Sequence, residues 1–382
     1  MTRTVPVPPP LTPSLAQEIA AETSRIIGFN VLVTDRDGVV IGSGDVDRVG
    51  SVHEASIDVI RTRREALHTA AQARALHGVK PGMTLPIVLD GEALGTVGIT
   101  GSPARIHRFG LLVQRHTEIL VREAILLRSR LVRDRAVTDL VRDIALLDDD
   151  VITGAALAQR AAELGIDLDR PRIAVVIDLP AEDGAVSAVR TVREAFHDPH
   201  DVVAETATGR ITVLHAATDV DAARDKLRML SRQHSALAAR IGISDPATGV
   251  TALHDAYHDA ADALRIAPRE AGAIVPIADL RVHQLLAAAG HHARTRFADL
   301  LLRDLRAETD WPTQRGTVLA WVESGFNLVR AAQALHIHRN TLLYRLDKIT
   351  SRSGRDVRDP HDALALYLAC LTEVVTTPAA PA

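Results

Sequence analysis

From Leu111 to Ile144 the chain carries no glycine and no proline. No other stretch restricts the fold so strongly, because an uninterrupted run of this length reads as one helix, beginning near Arg105. Along it Val113, Leu120, Ala124, Leu127 and Leu131 follow alternating three- and four-residue spacing, Thr117 fills one gap and Asp134 breaks the pattern. This is the coiled-coil period. It fits a signalling helix paired with its twin in a dimer, and equally an amphipathic helix packed on its own domain. In either case the helix marks a boundary between an N-terminal part of the chain and a C-terminal one. With 382 residues the chain is in any case too long for one core and divides into two or three domains.

Composition excludes several classes. Apolar residues make up 47% and charged residues 24%, as expected of a globular protein and not of a disordered one. A formal net charge of -4 argues against a chain that coats nucleic acid along its length, yet permits one local basic patch. The single cysteine, Cys370 in ALALYLACL, leaves no internal disulfide and suits a buried thiol in a reducing cytoplasm. MTRTVPVPPPLTP has no signal-like apolar stretch, and no run approaches the roughly 18 apolar residues of a membrane span. It reads as a disordered leader.

Before the long helix, SLAQEIAAETSRIIG predicts a helix with Leu15, Ile19, Ile26 and Ile27 near one side, Ser14 as N-cap and Gly28 as its stop. NVLVTDRDGVVIGSGD reads as strand, turn at Asp37-Gly38, strand. A helix around Ser51 to Thr62, the loop HGVKPG and the strands TLPIVLD and ALGTVGITG complete a small α/β unit of sensory-domain size. After the acidic Asp148 to Asp150, the helix GAALAQRAAELG, the strand IAVVIDL, a helix near Val186 to Phe196, the hairpin VVAETATGRITVLHA, a helix through Ala222 to Leu230 and the strand ARIGIS give an α+β order with antiparallel pairing. In ALHDAYHDAADALRIA, Leu253, Ala256, Tyr257, Ala260 and Leu264 form the core face, so His254 and His258 flank the core. Their i, i+4 spacing could hold a metal, but no third ligand is near.

From about Arg281 to Leu371 the chain reads all-helical. Asn327 caps a helix bearing Leu328, Val329, Ala332 and Leu335, and His336-Ile337-His338 turns into a second helix starting near Arg339 or Asn340. There Leu342, Leu343, Leu346 and Ile349 share one face, while Thr341, Tyr344, Arg345 and Lys348 share the other. His336 to Arg358 holds six basic residues against two acidic ones, a local positive excess in an acidic chain. A helix-turn-helix docks its second helix in the major groove N-terminus first. Arg339 and Asn340 are therefore the expected base readers, with Thr341, Tyr344, Arg345 and Lys348 on the groove or phosphates. A solvated basic helix, or one that contacts protein, is the competing reading.

The segment AAQALHIHRNTLLYRL, with Gly354 and the closing apolar helix, resembles the C-terminal helix-turn-helix of PucR-type bacterial transcription regulators. LAQEIAAETSRIIGFNVLVTDRDGVVIGSGD, R-V-G-x-x-H-E, LHGVKPGMTLPI and GTVGITG resemble the sugar diacid recognition domain of the carbohydrate diacid regulator family. The middle resembles the GGDEF-like module carried between such ends. In an active cyclase the hairpin would carry a Gly-Gly-Asp/Glu-Glu-Phe turn; here it reads A-T-G-R-I, and Asp178 alone remains on the preceding strand, so the two-metal machinery of phosphoryl transfer is lacking.

The resemblance implies a multidomain α/β and α protein. Its parts are a disordered leader over residues 1–12, a sensor domain over 13–104, a connecting helix over 105–150, a GGDEF-like α+β domain over 151–280, an all-α helix-turn-helix domain over 281–373 and a disordered tail over 374–382. It implies a cytoplasmic, homo-oligomeric, ligand-responsive transcription regulator. Such a protein is expected to activate uptake and catabolism genes and to use no cofactor or metal. Its partners are DNA and a small hydroxy acid or sugar diacid of the glucarate, galactarate or glycerate class. His53, His77, Gly78, Val79 and Lys80 are the expected effector residues, with Arg48, Thr100 and Gly101 beside them. Where the family loop often has Arg this chain has Lys80, which lowers the scope for bidentate carboxylate recognition. The alternative is a nucleotide-binding or diguanylate-cyclase-like signalling protein.

Overall fold

In the first part of the chain a short alanine-rich helix and a glycine in a strand bring two elements unusually close. Helix α1 (Pro13–Ile27) buries Ala16, Ile19, Ala20 and Thr23. A Cβ on Gly42 of strand β2 (Val40–Ser43) would stand 2.3 Å from the Ala16 backbone. This contact sets the helix face, so Ile26, expected inward, is 67% exposed. The cap also differs from expectation. Thr12, not Ser14, accepts the Leu15 N–H at 3.4 Å, because Pro13 with its fixed φ takes the first helical position. Leu11 is buried, so order begins within the segment expected to be a leader.

The computed structural model describes residues 10–148, 150–179, 185–234, 239–267 and 272–376. Most of the expected leader, Asp149 of the acidic triplet and the end of the expected tail lie outside these residues. The chain divides into two units, Met1–Arg133 and Asp134–Ala382.

In the first unit β1 (Val31–Thr34), β2, β3 (Ala66–His68), β4 (Gly82–Leu89) and β5 (Glu92–Thr100) form an antiparallel sheet in the order β2-β1-β5-β4-β3. Helices α2 (Glu54–Thr62) and α3 (Ala70–Ala73) precede and follow β3, a short edge strand that sequence periodicity does not reveal. The pleat gives the sheet two unlike faces. Val31, Val33, Met83, Leu85, Ile87, Val97 and Ile99 pack on α1 and on Ile106, Val113 and Val121 of the long helix α4 (Pro103–Ala145). The alternate positions carry Thr34, Thr84, Thr96, Gly98 and Thr100 and lie on the side of α2.

Helix α4 has 43 residues, about 65 Å at 1.5 Å per residue. Its seam divides in two. Val113 and Thr117 are buried, whereas Leu127 and Leu131 are 60% and 55% exposed. Farther along, Leu140, Val141 and Ile144 enter a core of the second unit.

That unit contains α5 (Gly154–Glu163), β6 (Arg172–Asp178), α6 (Ala185–Ala195), β7 (Val202–Ala207), β8 (Arg210–His215), α7 (Val220–Gln233), β9 (Arg240–Ala247), α8 (Val250–Ile266) and β10 (Ile274–Pro276). The sheet runs β10-β9-β6-β8-β7, antiparallel except for β10 on β9. One face packs on α4, α5 and α8, the other on α6 and α7. His254 and His258 face the end of α4, where Nδ1 of the first lies 2.9 Å from the Ile144 carbonyl and Nε2 of the second 3.0 Å from that of Ala145. The pair thus satisfies terminal helix carbonyls.

Helices α9 (Arg281–Ala288), α10 (His291–Arg306), α11 (Trp311–Glu323), α12 (Leu328–Ala334), α13 (Arg339–Ser353) and α14 (Pro360–Thr376) form the last region, with Leu302, Leu305, Trp321, Leu342, Leu346, Leu366 and Cys370 at its centre. Burial pushes the Cys370 thiol up to about 12, which makes it an inert packing residue. Among the described residues no helix is long and apolar enough to cross a membrane. Gly42→Ala should destabilise the first unit by about 1–3 kcal/mol through overpacking. Gly154→Ala, where nothing lies closer than 3.8 Å, should leave the melting temperature unchanged.

Candidate effector site and nucleic-acid edge

On the hydroxyl-bearing face of the first sheet a chain of short contacts runs inward from the start of α2. His53 Nδ1 lies 2.7 Å from Ser56 Oγ, Ser56 Oγ 2.7 Å from Thr96 Oγ1, and Thr96 Oγ1 2.9 Å from Thr34 Oγ1. All four residues are buried. Beside them Arg48, itself buried, donates Nη2–H to the Gly78 carbonyl at 2.5 Å, while its Nη1 is buried with no hydrogen-bond partner. Gly78 must be glycine on two counts: its φ is +69°, and a Cβ would stand 2.1 Å from the Val52 carbonyl oxygen. The loop is held from below by Glu54, whose Oε2 accepts the His77 N–H at 2.6 Å and whose N–H reaches the His77 carbonyl at 3.2 Å.

The electrostatics are one-sided. Burial, then Arg48, then His68 hold the His53 imidazole down at about 4, so it is neutral at pH 7. Burial also lowers His68 and Arg48, with Asp45 partly offsetting the latter. His68 lies opposite Gly82, which lies opposite Thr100, so the strand register puts His68 and Thr100 in one row of this face. The face thus brings together a guanidinium with a spare N–H, two imidazoles and a layer of hydroxyls, groups of the kind that bind a carboxylate.

Of the expected effector residues, Arg48, His53 and Gly78 converge, and Thr100 lies on the same face. His77 contributes its backbone to the loop. Val79 is half-buried within it. Lys80 pairs with Asp45 at 3.0 Å, the carboxylate that offsets Arg48. Gly101 stands apart: its N–H goes to the Pro81 carbonyl, and a Cβ there would meet Ile106 and Phe29. Sequence reasoning missed His68, Ser56, Thr34 and Thr96. The alternation of Thr84 and Thr96 with apolar neighbours was the available signal.

In the last region the expected two helices form. Asn327 caps α12, its Oδ1 accepting the Val329 and Arg330 N–H groups at 3.1 Å, and His338 Nδ1 caps α13 by accepting the Asn340 N–H. Leu342, Leu346 and Ile349 are buried, which anchors one face of α13. The basic residues then separate into two sets. Lys348 lies 2.9 Å from Asp310 and 3.3 Å from Glu308, Arg352 pairs with Glu308, Arg355 with Asp362 and Arg358 with Asp347. Arg330, Arg339 and Arg345 have no carboxylate partner among the described residues. Around them Asn340, Thr341 and Tyr344 are exposed.

The middle domain spends its remaining carboxylate internally. Asp178 accepts Arg210 Nε–H at 2.7 Å and Nη2–H at 3.1 Å, so the Arg of the ATGRI hairpin closes a bidentate pair over it. Among the described residues no group of three or more His, Cys, Asp or Glu is placed to hold a metal ion.

Because the unfolded imidazole gains a proton near 6.5 and the folded one only near 4, the folded state should lose stability as pH falls through this window, by on the order of 3 kcal/mol. His53→Gln should flatten that acid limb in melting curves. An unchanged slope would assign it to other groups.

Residues 11–144 match the sugar diacid recognition model, 149–266 the GGDEF-like domain model and 314–372 the PucR C-terminal helix-turn-helix model. The carbohydrate diacid regulator of Escherichia coli (strain K12) is 29% identical over 377 residues, covering 94% of this chain and 97% of the relative. The protein YsfB of Bacillus subtilis (strain 168) is 25% identical over 371 residues, with 94% and 97% covered. The crystal structure of a regulator of polyketide synthase expression from Bifidobacterium adolescentis aligns over 64% of this chain and all of its own, at 19% identity and a TM-score of 0.30. Three modules in this order, and a likeness that runs almost end to end, make the chain similar to the carbohydrate diacid regulator along nearly its whole length, with a PucR-type helix-turn-helix at its C-terminal end.

Proposed function

We propose that the protein is a cytoplasmic, ligand-responsive transcription regulator that binds DNA as a homo-oligomer and activates genes for uptake and breakdown of sugar diacids or related hydroxy acids. The observation that carries the DNA-binding part is the division of charge on α13 and the loop that follows it. Four cations are consumed by carboxylates of their own domain, while Arg339, Asn340, Thr341, Tyr344 and Arg345 remain on the edge that a helix-turn-helix offers to the major groove. Arg339 and Asn340 read bases and Thr341, Tyr344 and Arg345 contact the groove or phosphates. Lys348 fixes α13 to the turn before α11 and acts on DNA through that placement.

The effector is a small carboxylate of the glucarate, galactarate or glycerate class; the Escherichia coli relative is named for carbohydrate diacids. Its carboxylate takes the spare N–H of Arg48, with His53, His68 and the Gly78 loop around it. The proposed parts are the sensor over 13–104, the connecting helix over 105–150, the GGDEF-like domain over 151–280 and the DNA-binding domain over 281–373. The middle domain transmits and does no phosphoryl chemistry, since Arg210 neutralises Asp178. Ligand acts by population shift, through its different affinity for two arrangements of the sensor.

In calorimetry the full chain should bind at least one of these acids, and Arg48→Ala should weaken binding about tenfold or more, the worth of one charge-assisted pair. Binding that survives Arg48→Ala unchanged would move the effector elsewhere. On promoter DNA, Arg339→Ala with Arg345→Ala should lower affinity and reduce its salt dependence. Lys348→Ala should instead lower the melting temperature of the C-terminal region. Unaltered promoter affinity in the double variant would defeat the recognition-helix assignment.

A further inference from the structure

The second half of the α4 seam is left uncovered by the unit that buries the first half. Val113, Thr117 and Val121 are fully buried against the sensor sheet, but one turn later Ala124 is half-buried and Leu127 and Leu131 stand 60% and 55% exposed. The exposed side opens as a groove of about 460 Å³ lined by Leu120, Glu123, Ala124, Leu126, Leu127 and Arg130. Isolated surface leucines need no explanation, whereas a row that keeps the three-four spacing of a buried seam does.

We infer that this face pairs with the same face of a second copy, as a short parallel coiled coil from Leu120 to Leu131. The heptad phase is set by the spacing. Leu120 and Leu127 take the d positions, Ala124 and Leu131 the a positions, so each residue meets its own counterpart across the two-fold axis. This phase puts Glu123 at g and Arg128 at the next e, the two positions that face each other between parallel chains. Neither has an ion-pair partner within its own chain among the described residues. Two-fold symmetry makes that contact twice, Glu123 to Arg128 in each direction. The pairing is bounded at both ends. Upstream the preceding a position, Thr117, is already buried, and downstream Asp134 would take the next d position but pairs with Arg193 at 2.6 Å. Arg130 would also face the second copy's Arg135, a like-charge contact that opposes extension. The apolar area is small for a coiled coil alone. It therefore sets the register of a dimer, and the two DNA-binding edges of the proposed function come as a symmetric pair.

The test uses the full chain. Light scattering should give a dimer at micromolar concentration, and Leu127→Glu with Leu131→Glu should give a monomer with unchanged helicity and melting of the sensor, because both side chains are exposed. Glu123→Arg should weaken the dimer and Glu123→Arg with Arg128→Glu should restore it. Ala124→Cys should form an intermolecular disulfide on mild oxidation, against a silent background since Cys370 is buried. A monomeric wild type, or a dimer indifferent to the two leucine substitutions, overturns the interface. A dimer broken by the leucine changes in which Ala124→Cys never cross-links overturns the parallel register. These outcomes do not depend on effector or DNA, so they stand or fall separately from the proposed function.

Discussion

Helix α4 completes two hydrophobic cores, one in each unit of the chain. Its early apolar residues, Ile106, Val113 and Val121, close the core of the sensor sheet, and its late ones, Leu140, Val141 and Ile144, close one face of the middle sheet. Neither core is complete without residues from this one helix. Its C-terminal end is also held by polar groups. Imidazoles at His254 and His258 reach its last carbonyls, and Arg193 and Arg160 pair with Asp134 and Asp143. Apolar and polar anchoring thus coincide at that end, and rotating the helix would cost both.

The sheet of the first unit has two unlike faces. The pleat sends Val31, Val33, Leu85, Ile87, Val97 and Ile99 to one side and Thr34, Thr84, Thr96 and Gly98, with Leu32, to the other. The second holds a buried guanidinium with an unused donor and two imidazoles whose pKa burial lowers, the groups to which the effector carboxylate is proposed to bind. In the C-terminal domain charge is handled in the opposite way. Acidic partners quiet the basic residues that would only repel one another, and the remainder is left at the N-terminal end of α13.

Much of this was legible in order and spacing. The long helix, the two halves of the helix-turn-helix, the Asn327 cap and the buried Leu342, Leu346 and Ile349 follow from local periodicity and capping chemistry, which neighbouring residues decide among themselves. Strands β3 and β10 have three residues each and owe their existence to the neighbour they pair with, so no local signal announces them. The exposed Ile26 and the cap at Thr12 depart from local expectation for a related reason. A close approach between Ala16 and Gly42 outweighs the hydrophobicity of a single side chain.

What the sequence determined by itself was the inventory: three modules, a basic helix, a glycine-bearing loop with histidines nearby, and a hairpin that had lost its acidic turn. Which members of that inventory are available was decided only in three dimensions. Lys348 and Arg345 look equivalent along a helix face, yet one meets Asp310 and Glu308 from a loop some 40 residues earlier and the other does not. Arg48, His53 and His68 are scattered in the chain and share one environment because strand register and the α2 connection fold them onto one face. Charge acts through space and not along the chain, so its use is settled by tertiary neighbours that no local pattern encodes.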